Sequence, residues 1–396
     1  MNRFQSGLSL CAGLLMTAFL SSCGGHSSDT TPSPVVDSDS ALEGLKPNPS
    51  AFTDTIGGKV SSLYEIHNGK IEAYITDYGG RLVALFVPDK NGKETDVVDG
   101  FDSVQGYERT RDSYYGGIIG RYGNRIGKGT FHLDGKTYSI PINNGVNALH
   151  GGIKGFSDYV WDAAKTSDST LELSLTSPDG DMGFPGALKV KVRYTVTANQ
   201  GLRLDYLATT DKKTVVNLTN HAYYNLDGAG SGTILNQQIQ INADGYTPID
   251  SGLIPTGKIA PVAGTPFDFR KPEVIGSRIN DNNQQLTYGK GYDHNFVLNP
   301  PAGGDSLRHA ATLWAATSGI VMDVYTVEPG LQFYTGNFMN GQHKMKYDKR
   351  DTYRTALCLE TQHYPDSPNE PAWPPTVLEP GKTYHTTTEY LFSVKK

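Results

Sequence analysis

Cysteine is scarce in this chain, with three residues in a sequence of 396. Cys11 lies within an apolar N-terminal run, and Cys358 lies alone in the apolar segment 356–359, where a small buried side chain is expected. Cys11 and Cys23 both belong to the N-terminal signal region, so Cys358 is left without a partner for a disulfide. The fold therefore depends on the packing of its side chains.

Clustered positive charge is also missing. The 35 Lys and Arg residues are outnumbered by 41 Asp and Glu residues, which gives a formal net charge of -6. The basic residues are scattered rather than gathered into a stripe, and this argues against a nucleic acid as partner. Beyond the first 22 residues no apolar run is long enough to span a bilayer. A neutral small molecule fits this composition better, and the 23 Tyr and 14 Phe residues supply flat faces that suit sugars.

The N-terminus reads as a processing signal rather than as part of the fold. One Arg precedes an apolar run over residues 8–20, which predicts a signal peptide at 1–22. The run ends in Leu20-Ser21-Ser22-Cys23, which resembles the bacterial lipoprotein signal, where the Cys is acylated after cleavage. Cys23 is therefore predicted to carry a lipid anchor. Residues 23–50 are predicted to form a flexible linker because they have few large apolar side chains, and 51–396 to form one domain.

This N-terminus also predicts where the protein is found. Acyl chains on Cys23 would hold it at a membrane without a spanning helix. We therefore expect a lipid-anchored protein of the cell envelope, at the periplasmic face or the outer membrane, and a monomer by default.

Helical periodicity is absent as well: no stretch of about 12 residues repeats its apolar side chains every 3.6 positions. Alternation with period two is frequent instead, as in residues 171–175, 189–196 and 202–207. It predicts an antiparallel meander with one solvated face. The fold class is thus predicted as all-β, a large antiparallel β-sandwich. Two long Gly-rich connections, 179–186 and 277–291, are predicted to form walls of a cleft.

Two segments carry the residue types needed for proton transfer. His221 lies in the polar segment 217–226, and histidine exchanges a proton near neutral pH. Glu360 follows the apolar run 356–359, as if a buried strand delivered its carboxylate into a pocket. Desolvation would raise the pKa of Glu360 toward the optimum for a base, and His221 is expected to be protonated beside a negative charge, either Asp293 or Glu360.

Four further segments combine polar side chains with strand-like flanks: GRYGNRI at 120–126, NALHGG at 147–152, YDHNF at 292–296 and LQFYTGNF at 331–338. Together with the His221 and Glu360 segments, and in this order, they resemble the aldose 1-epimerase (mutarotase) family over residues 52 to 392. The resemblance implies a galactose mutarotase-like β-supersandwich with a sugar on a concave sheet face. It also implies an isomerase that interconverts the α and β anomers of free aldohexoses such as galactose and glucose, with no cofactor or metal.

Residue roles follow from the resemblance, position by position. Glu360 is implied as the base that takes the proton of the C1 hydroxyl, and His221 as the acid that protonates the ring oxygen. The ring opens, rotation about C1–C2 exposes the other face of the aldehyde, and reclosure gives the opposite anomer. Tyr223, two residues after His221, is expected to line the same pocket. The positions that match the family's sugar-binding residues are Asn124, Arg125, His150, Asp293 and Gln332.

Other function classes stay open from the residues alone. A non-catalytic carbohydrate-binding protein would need the aromatic and polar lining but not both His221 and Glu360. A glycosidase would use Asp293 and Glu360 as two carboxylates separated by ~5 to 9.5 Å. A metal hydrolase and a serine hydrolase are disfavoured because the sequence has neither a His-Glu-x-x-His nor a Gly-x-Ser-x-Gly motif.

Single residues also have alternative roles. Arg121 and Arg125 could form salt bridges at strand edges, and of the two we favour Arg125 for the site because of its spacing to His150. His294 and His363 are interpreted as neighbours of the site.

Overall fold

The computed structural model describes residues 46–301 and 307–396. The predicted signal peptide, Cys23 and most of the predicted linker lie outside the described residues. Residues 46–50, assigned to the linker from sequence, contact the domain: Lys46 Nζ lies 2.7 Å from Glu72 Oε2, and Pro47 is buried. Within the described ranges, neither α-helix has the length or apolar content needed to cross a lipid bilayer.

Strands make up most of the regular structure, as the period-two patterns predict. In the first half of the chain they are β1 (Thr55–Ile56), β2 (Lys59–Val60), β3 (Leu63–Asn68), β4 (Ile71–Thr76), β5 (Arg81–Pro88), β6 (Glu94–Asp96), β7 (Val98–Asp99), β8 (Ile118–Ile119), β9 (Arg125–Ile126), β10 (Thr130–Leu133), β11 (Lys136–Ser139), β12 (Ala148–Leu149), β13 (Asp162–Ser167), β14 (Thr170–Ser177) and β15 (Leu188–Thr197).

The second half continues with β16 (Gly201–Thr210), β17 (Thr214–Val215), β18 (Thr219–Asn220), β19 (Tyr223–Tyr224), β20 (Gln238–Ile241), β21 (Ala243–Tyr246), β22 (Ala260–Pro261), β23 (Glu273–Val274), β24 (Asp293–Leu298), β25 (Arg308–Trp314), β26 (Ile320–Thr326), β27 (Gly330–Tyr334), β28 (Cys358–Gln362), β29 (Val377–Leu378) and β30 (Tyr384–Val394). The described α-helices are short, α1 (Val104–Arg109) and α2 (Gln284–Gly289), and short 3₁₀ turns lie between strands.

Three antiparallel sheets organise the domain. The largest has nine strands in the order β13-β14-β15-β16-β30-β26-β25-β20-β23. A five-stranded sheet runs β22-β21-β24-β27-β28, and a four-stranded sheet runs β3-β4-β5-β6. Apolar side chains from all three sheets form one buried cluster, so the core lies between the sheets. The all-β sandwich prediction is confirmed.

The predicted meander is present as β14, β15 and β16. Each pairs with the next in antiparallel register, for example Leu173 with Val192 and Val192 with Tyr206. Along β15 buried and exposed residues alternate, with Val190 and Val192 in the core and Lys191 exposed. This is the pattern expected of a sheet with one solvated face.

The two long connections do not form the expected cleft walls. The segment 179–186 packs around the buried Arg121, whose Nη1 donates to the carbonyls of Pro185 and Gly186 at 2.9 and 2.8 Å. The segment 277–291 contains α2, and Gln285 in that helix bonds with the backbone of Ile249. Neither segment lines the cavity in front of His221 and Glu360. The loops were predicted to be cleft walls because of their length and glycine content. Their positions are instead set by polar contacts with other parts of the domain.

Candidate active site

Three adjacent strands place polar side chains on one face of the five-stranded sheet. In β24, β27 and β28 the paired residues are Asp293, Tyr334 and Cys358 in one row, and Asn295, Gln332 and Glu360 in the next. Residues that alternate with them along the strands, including Phe296, Leu331, Phe333 and Leu359, belong to the core. Since side chains alternate between the two faces of a strand, the register that buries the core also turns this polar set the other way.

His221 is held opposite these rows by its own backbone. Its N–H donates to Gly117 O and its carbonyl accepts from Gly116 N–H, both at 2.9 Å. Tyr224 and Leu357 exchange backbone hydrogen bonds of 2.7 and 2.9 Å, which fasten the segment to the start of β28. As a result Nε2 of His221 lies 3.8 Å from Oε1 of Glu360. The predicted base lies on β28 as expected, whereas the predicted acid lies between β18 and β19 rather than on a strand, and the fold brings the two side chains together.

A cavity of about 390 Å³ opens in front of this pair. Seven of the eight predicted catalytic and binding residues line it: Asn124, Arg125, His150, His221, Tyr223, Asp293 and Glu360. Tyr223 stacks on His221 with ring centroids 5.1 Å apart. Gln332 is the exception, because its Nε2 donates to Asp293 Oδ1 at 2.7 Å and the residue does not line the cavity. Gln332 therefore fixes the position of Asp293, which does line the cavity.

Asn124, Arg125 and His150 form one corner of the cavity. Strands β9 and β12 pair there, and His150 N–H donates to Asn124 O at 3.0 Å. The Asn124 N–H donates in turn to Nδ1 of His150 at 3.1 Å, so neutral His150 carries its proton on Nε2. Arg125 Nε donates to Asn144 Oδ1 at 3.1 Å. This corner presents hydrogen-bond donors to the cavity, which suits the oxygens of a sugar.

His150, His221 and Glu360 lie close enough to resemble a metal centre, with one ligand atom of each within 4.8 Å of the others. The tautomer of His150 argues against that role. Its Nδ1 lone pair accepts the Asn124 N–H and its Nε2 bears the proton, so neither nitrogen offers a free lone pair to an ion. The cluster is better suited to hydrogen bonding and proton transfer.

Comparison with known proteins identifies the family. The family model for aldose 1-epimerase matches residues 62–391, which include every one of these site segments. The chain belongs to the aldose 1-epimerase family. It is therefore an isomerase that interconverts the anomers of an aldose, and the binding-protein and glycosidase alternatives are not supported.

Individual relatives cover nearly the same region. The galactose mutarotase of Bos taurus is 44% identical over 339 residues, 86% of this chain and 96% of the relative. The aldose 1-epimerase of Escherichia coli K12 is 39% identical over 329 residues, 82% of this chain and 93% of the relative. A crystal structure of an aldose epimerase homologue from C. elegans superposes with a TM-score of 0.78 at 32% identity, covering 85% of this chain and all of that chain.

Burial moves the pKa values of the two central groups of this epimerase in opposite directions. It raises the pKa of Glu360 well above its usual value, with the charge of Asp293 adding to the rise and that of Arg125 opposing it. It lowers the pKa of His221 to about 4; the residue's own backbone carbonyl opposes this, and the charge of Arg81 adds to it. Both shifts favour the neutral forms because the cavity floor is desolvated.

Burial therefore opposes the protonation of His221 that the sequence led us to expect in the free site. Glu360 lies 3.8 Å away, but burial raises its own pKa and so disfavours the negative charge that would hold a proton on His221. A protonated Glu360 beside a neutral His221 nevertheless holds one proton, as does a carboxylate beside an imidazolium. The pair as a unit thus has the proton count that acid–base catalysis needs, and such coupled groups titrate together.

Several epimerase site residues were not singled out from the sequence. Tyr334 was marked only within its segment, and its ring meets His221 edge-on at 6.3 Å. Tyr114 lines the cavity, and its ring lies 4.4 Å from that of His150. Its backbone has a φ of 58°, a conformation that the sequence around Tyr114 does not indicate. Cys358 was interpreted as a small buried apolar residue, yet its Sγ lies 3.4 Å from Nδ1 of His221. Its position two residues before Glu360 in one strand was the available signal.

The other predicted neighbours lie outside the cavity. Arg121 is buried among backbone carbonyls, so the preference for Arg125 over Arg121 agrees with their placement. His294 packs against Phe267 at 4.5 Å, and His363 Nδ1 lies 2.6 Å from Glu328 Oε2.

Asn217 joins three segments of the site. Its amide donates to the carbonyls of Gly123 and His363, each at 3.2 Å, and accepts from the His363 N–H at 3.0 Å. We expect Asn217→Ala to lower the free energy of unfolding by about 2 to 4 kcal/mol, because buried backbone groups lose their partner. Urea denaturation measures this. Asn68→Ala, which removes one half-buried bond to Val196 O, is the control and should cost less than about 1 kcal/mol; equal losses would contradict the role given to Asn217.

Proposed function

We propose that this epimerase interconverts the anomers of free aldohexoses, with galactose and glucose as substrates, by proton transfer through Glu360 and His221. The observation that carries the proposal is the 3.8 Å approach of His221 Nε2 to Glu360 Oε1 in a polar cavity. The names of the relatives support galactose as a substrate, since galactose mutarotases match most of the chain.

The reaction conserves the single proton of the pair. Glu360 as carboxylate takes the proton of the C1 hydroxyl, and a carbonyl forms at C1. The bond between C1 and the ring oxygen breaks, its electron pair passes to that oxygen, and His221 Nε2–H supplies the proton. Glu360 is then protonated and His221 neutral, the form that burial favours. Rotation about C1–C2 and reversal of both transfers give the other anomer.

The remaining cavity residues orient the sugar in this mechanism. Arg125, Asn124 and His150 donate to hydroxyl oxygens, and Asp293, fixed by Gln332, accepts from hydroxyl groups. Tyr223 and Tyr334 bracket the His221 ring, at 5.1 and 6.3 Å between centroids. Fixing both reacting groups and the sugar in one geometry lowers the entropic part of the barrier.

Polarimetry tests the proposal. Freshly dissolved α-galactose and α-glucose are followed to anomeric equilibrium with and without residues 24–396 of the chain. We expect the protein to accelerate the approach to equilibrium for both sugars without changing its end point. The proposal would be overturned if the protein bound the sugars but the approach to anomeric equilibrium kept the rate seen in buffer alone.

The pKa of His221 leads to an expected pH profile. The active pair holds one proton, and the next proton to bind goes to His221, whose pKa burial lowers to about 4. We therefore expect kcat/KM to stay level as pH falls below neutrality and to decline only near pH 4. An exposed histidine would bring that decline to about pH 6.5. Polarimetry after subtraction of the buffer rate measures the profile, circular dichroism at each pH controls for unfolding, and a decline centred near 6.5 would contradict the role of burial.

The setting of the reaction forms part of the proposal. The N-terminal segment supports an envelope protein anchored by lipid on Cys23, acting on sugars that are imported or released outside the cytoplasm. Cell fractionation with metabolic labelling by a fatty acid tests this. Recovery of the mature chain in the cytosol without label would contradict it.

A further inference from the structure

The imidazole of His221 lies across two side chains of the same strand. Its Nε2 faces Glu360 Oε1 at 3.8 Å, and its Nδ1 faces Cys358 Sγ at 3.4 Å. Cys358 and Glu360 stand two positions apart in β28, so both point to the same face. The strand thus fixes the thiol and the carboxylate in one geometry relative to the ring.

The proposed reaction uses only one nitrogen of His221. Nε2 gives its proton to the ring oxygen and later takes it back, while Nδ1 keeps its proton through the whole cycle. The group that faces Nδ1 must therefore accept a hydrogen bond in every state. In many histidine sites a carbonyl or carboxylate oxygen fills this position. The residue's own carbonyl accepts from Gly116 N–H and also opposes the fall in the His221 pKa, so the side chain that faces Nδ1 acts beside it.

We propose that Cys358 is a positioning residue of the proposed reaction, whose neutral thiol accepts the hydrogen bond of His221 Nδ1–H and so reserves Nε2 for proton exchange. The contact at 3.4 Å lies within hydrogen-bond range for sulfur, and Cys358 is fully buried. The inference rests on the proposed roles of His221 and Glu360.

A thiol differs from the usual oxygen acceptors in ways that suit this site. Burial raises the pKa of Cys358 well above its usual value, and the charges of Glu360 and Asp293 add to the rise, so the group stays an uncharged thiol. Sulfur is a weak acceptor. It fixes the ring without stabilising the imidazolium as a carboxylate would, and His221 remains a strong acid toward the weakly basic ring oxygen.

Of the side chains around His221, Cys358 is the one placed to accept a hydrogen bond from Nδ1. His150 meets the ring edge-on at 5.2 Å and Tyr114 lies at 5.9 Å, while Tyr223 stacks at 5.1 Å. These rings pack against the faces and edges of the imidazole. Glu360 faces the other nitrogen, so Cys358 is the side chain that approaches Nδ1.

Nitrogen NMR of the purified full chain labelled with ¹⁵N-histidine reads the tautomer directly, with the His221 signal assigned by its loss in His221→Asn. We expect neutral His221 to carry its proton on Nδ1 in the wild type. Cys358→Ser keeps an acceptor and should retain the tautomer and most of kcat. Cys358→Ala should give a mixture of tautomers and lower kcat by about 10-fold with KM unchanged, because the ring loses its orientation.

Thr361→Ala is the matched control, since Thr361 lies in the same strand and its hydroxyl contacts Thr388 rather than the cavity. It should change stability but neither the tautomer nor kcat. The proposal is overturned if wild-type His221 carries its proton on Nε2, or if Cys358→Ala keeps the wild-type tautomer and kcat. The NMR measurement of the tautomer does not depend on turnover. If the wild type proved inactive, the proposed function would fail, but the NMR spectrum would still show whether Nδ1 of His221 carries the proton.

Discussion

Replacement of Glu360 by Gln is expected to lower kcat for mutarotation by about 10³-fold while sugar binding persists. Gln has nearly the same shape as Glu and can still hydrogen-bond a hydroxyl, but it cannot take the proton of the C1 hydroxyl. Glu360 is only 2% exposed, so a neutral amide adds no buried charge and the fold should be kept. Polarimetry gives the rate, and calorimetric titration with galactose gives the affinity.

The control for this experiment is Asp99→Asn. Asp99 is another buried carboxyl group, and burial raises its pKa to about 7, but it does not line the cavity. Its replacement should leave kcat within about twofold, the range of a change that touches neither the sugar nor the pair. If Glu360→Gln kept more than a tenth of the wild-type kcat, another group would have to be the base.

Replacement of His221 by Asn is expected to lower kcat by about 10² to 10³-fold, because Asn cannot supply the proton that the proposed reaction gives to the ring oxygen. Asn keeps a polar side chain in the backbone frame formed by Gly116 and Gly117. The loss should fall on kcat rather than on KM, since the proposed sugar contacts of Arg125 and Asp293 are left in place. Polarimetry over a range of galactose concentrations separates the two constants.

The double variant makes this expectation sharper. In the proposed reaction Glu360 and His221 act as a unit that shares one proton, and the effects of such residues are strongly non-additive. The Glu360→Gln, His221→Asn variant should be no more than about tenfold slower than the slower single variant. Losses that multiply fully would show that the two side chains contribute independently and would contradict the shared proton.

Local patterns in the sequence predicted the β-strands that were singled out and drew attention to His221 and Glu360, whose side chains lie 3.8 Å apart. Alternation in 189–196 predicted the buried and exposed faces of β15, because the period of a strand is a local property. The apolar run before Glu360 predicted a buried strand that delivers its carboxylate into a pocket. Strand β28 is buried, but Glu360 lies at its middle, and the alternation of side chains turns Glu360 toward the cavity. Residues 46–50 show the limit of composition: they are polar, yet Lys46 finds an ion-pair partner in Glu72.

The sequence did not predict the positions or pKa values of residues whose surroundings are formed by distant parts of the chain. Gln332 shares a face with Glu360, but its hydrogen bond to Asp293 keeps it from lining the cavity. The low pKa of His221 arises from burial by several segments, and no single segment shows it. The loop 179–186 was expected beside the cavity, whereas the buried guanidinium of Arg121 draws its carbonyls elsewhere.

The alternation of β24, β27 and β28 ties the chemistry of this enzyme to the integrity of its core. Gln332 pairs with Glu360 in the same register that buries Leu331 and Phe333, and a slip by one residue would turn apolar side chains into the cavity and the carboxylate into the interior. An insertion or deletion within these strands is therefore expected to cost packing and activity together, because one register sets both.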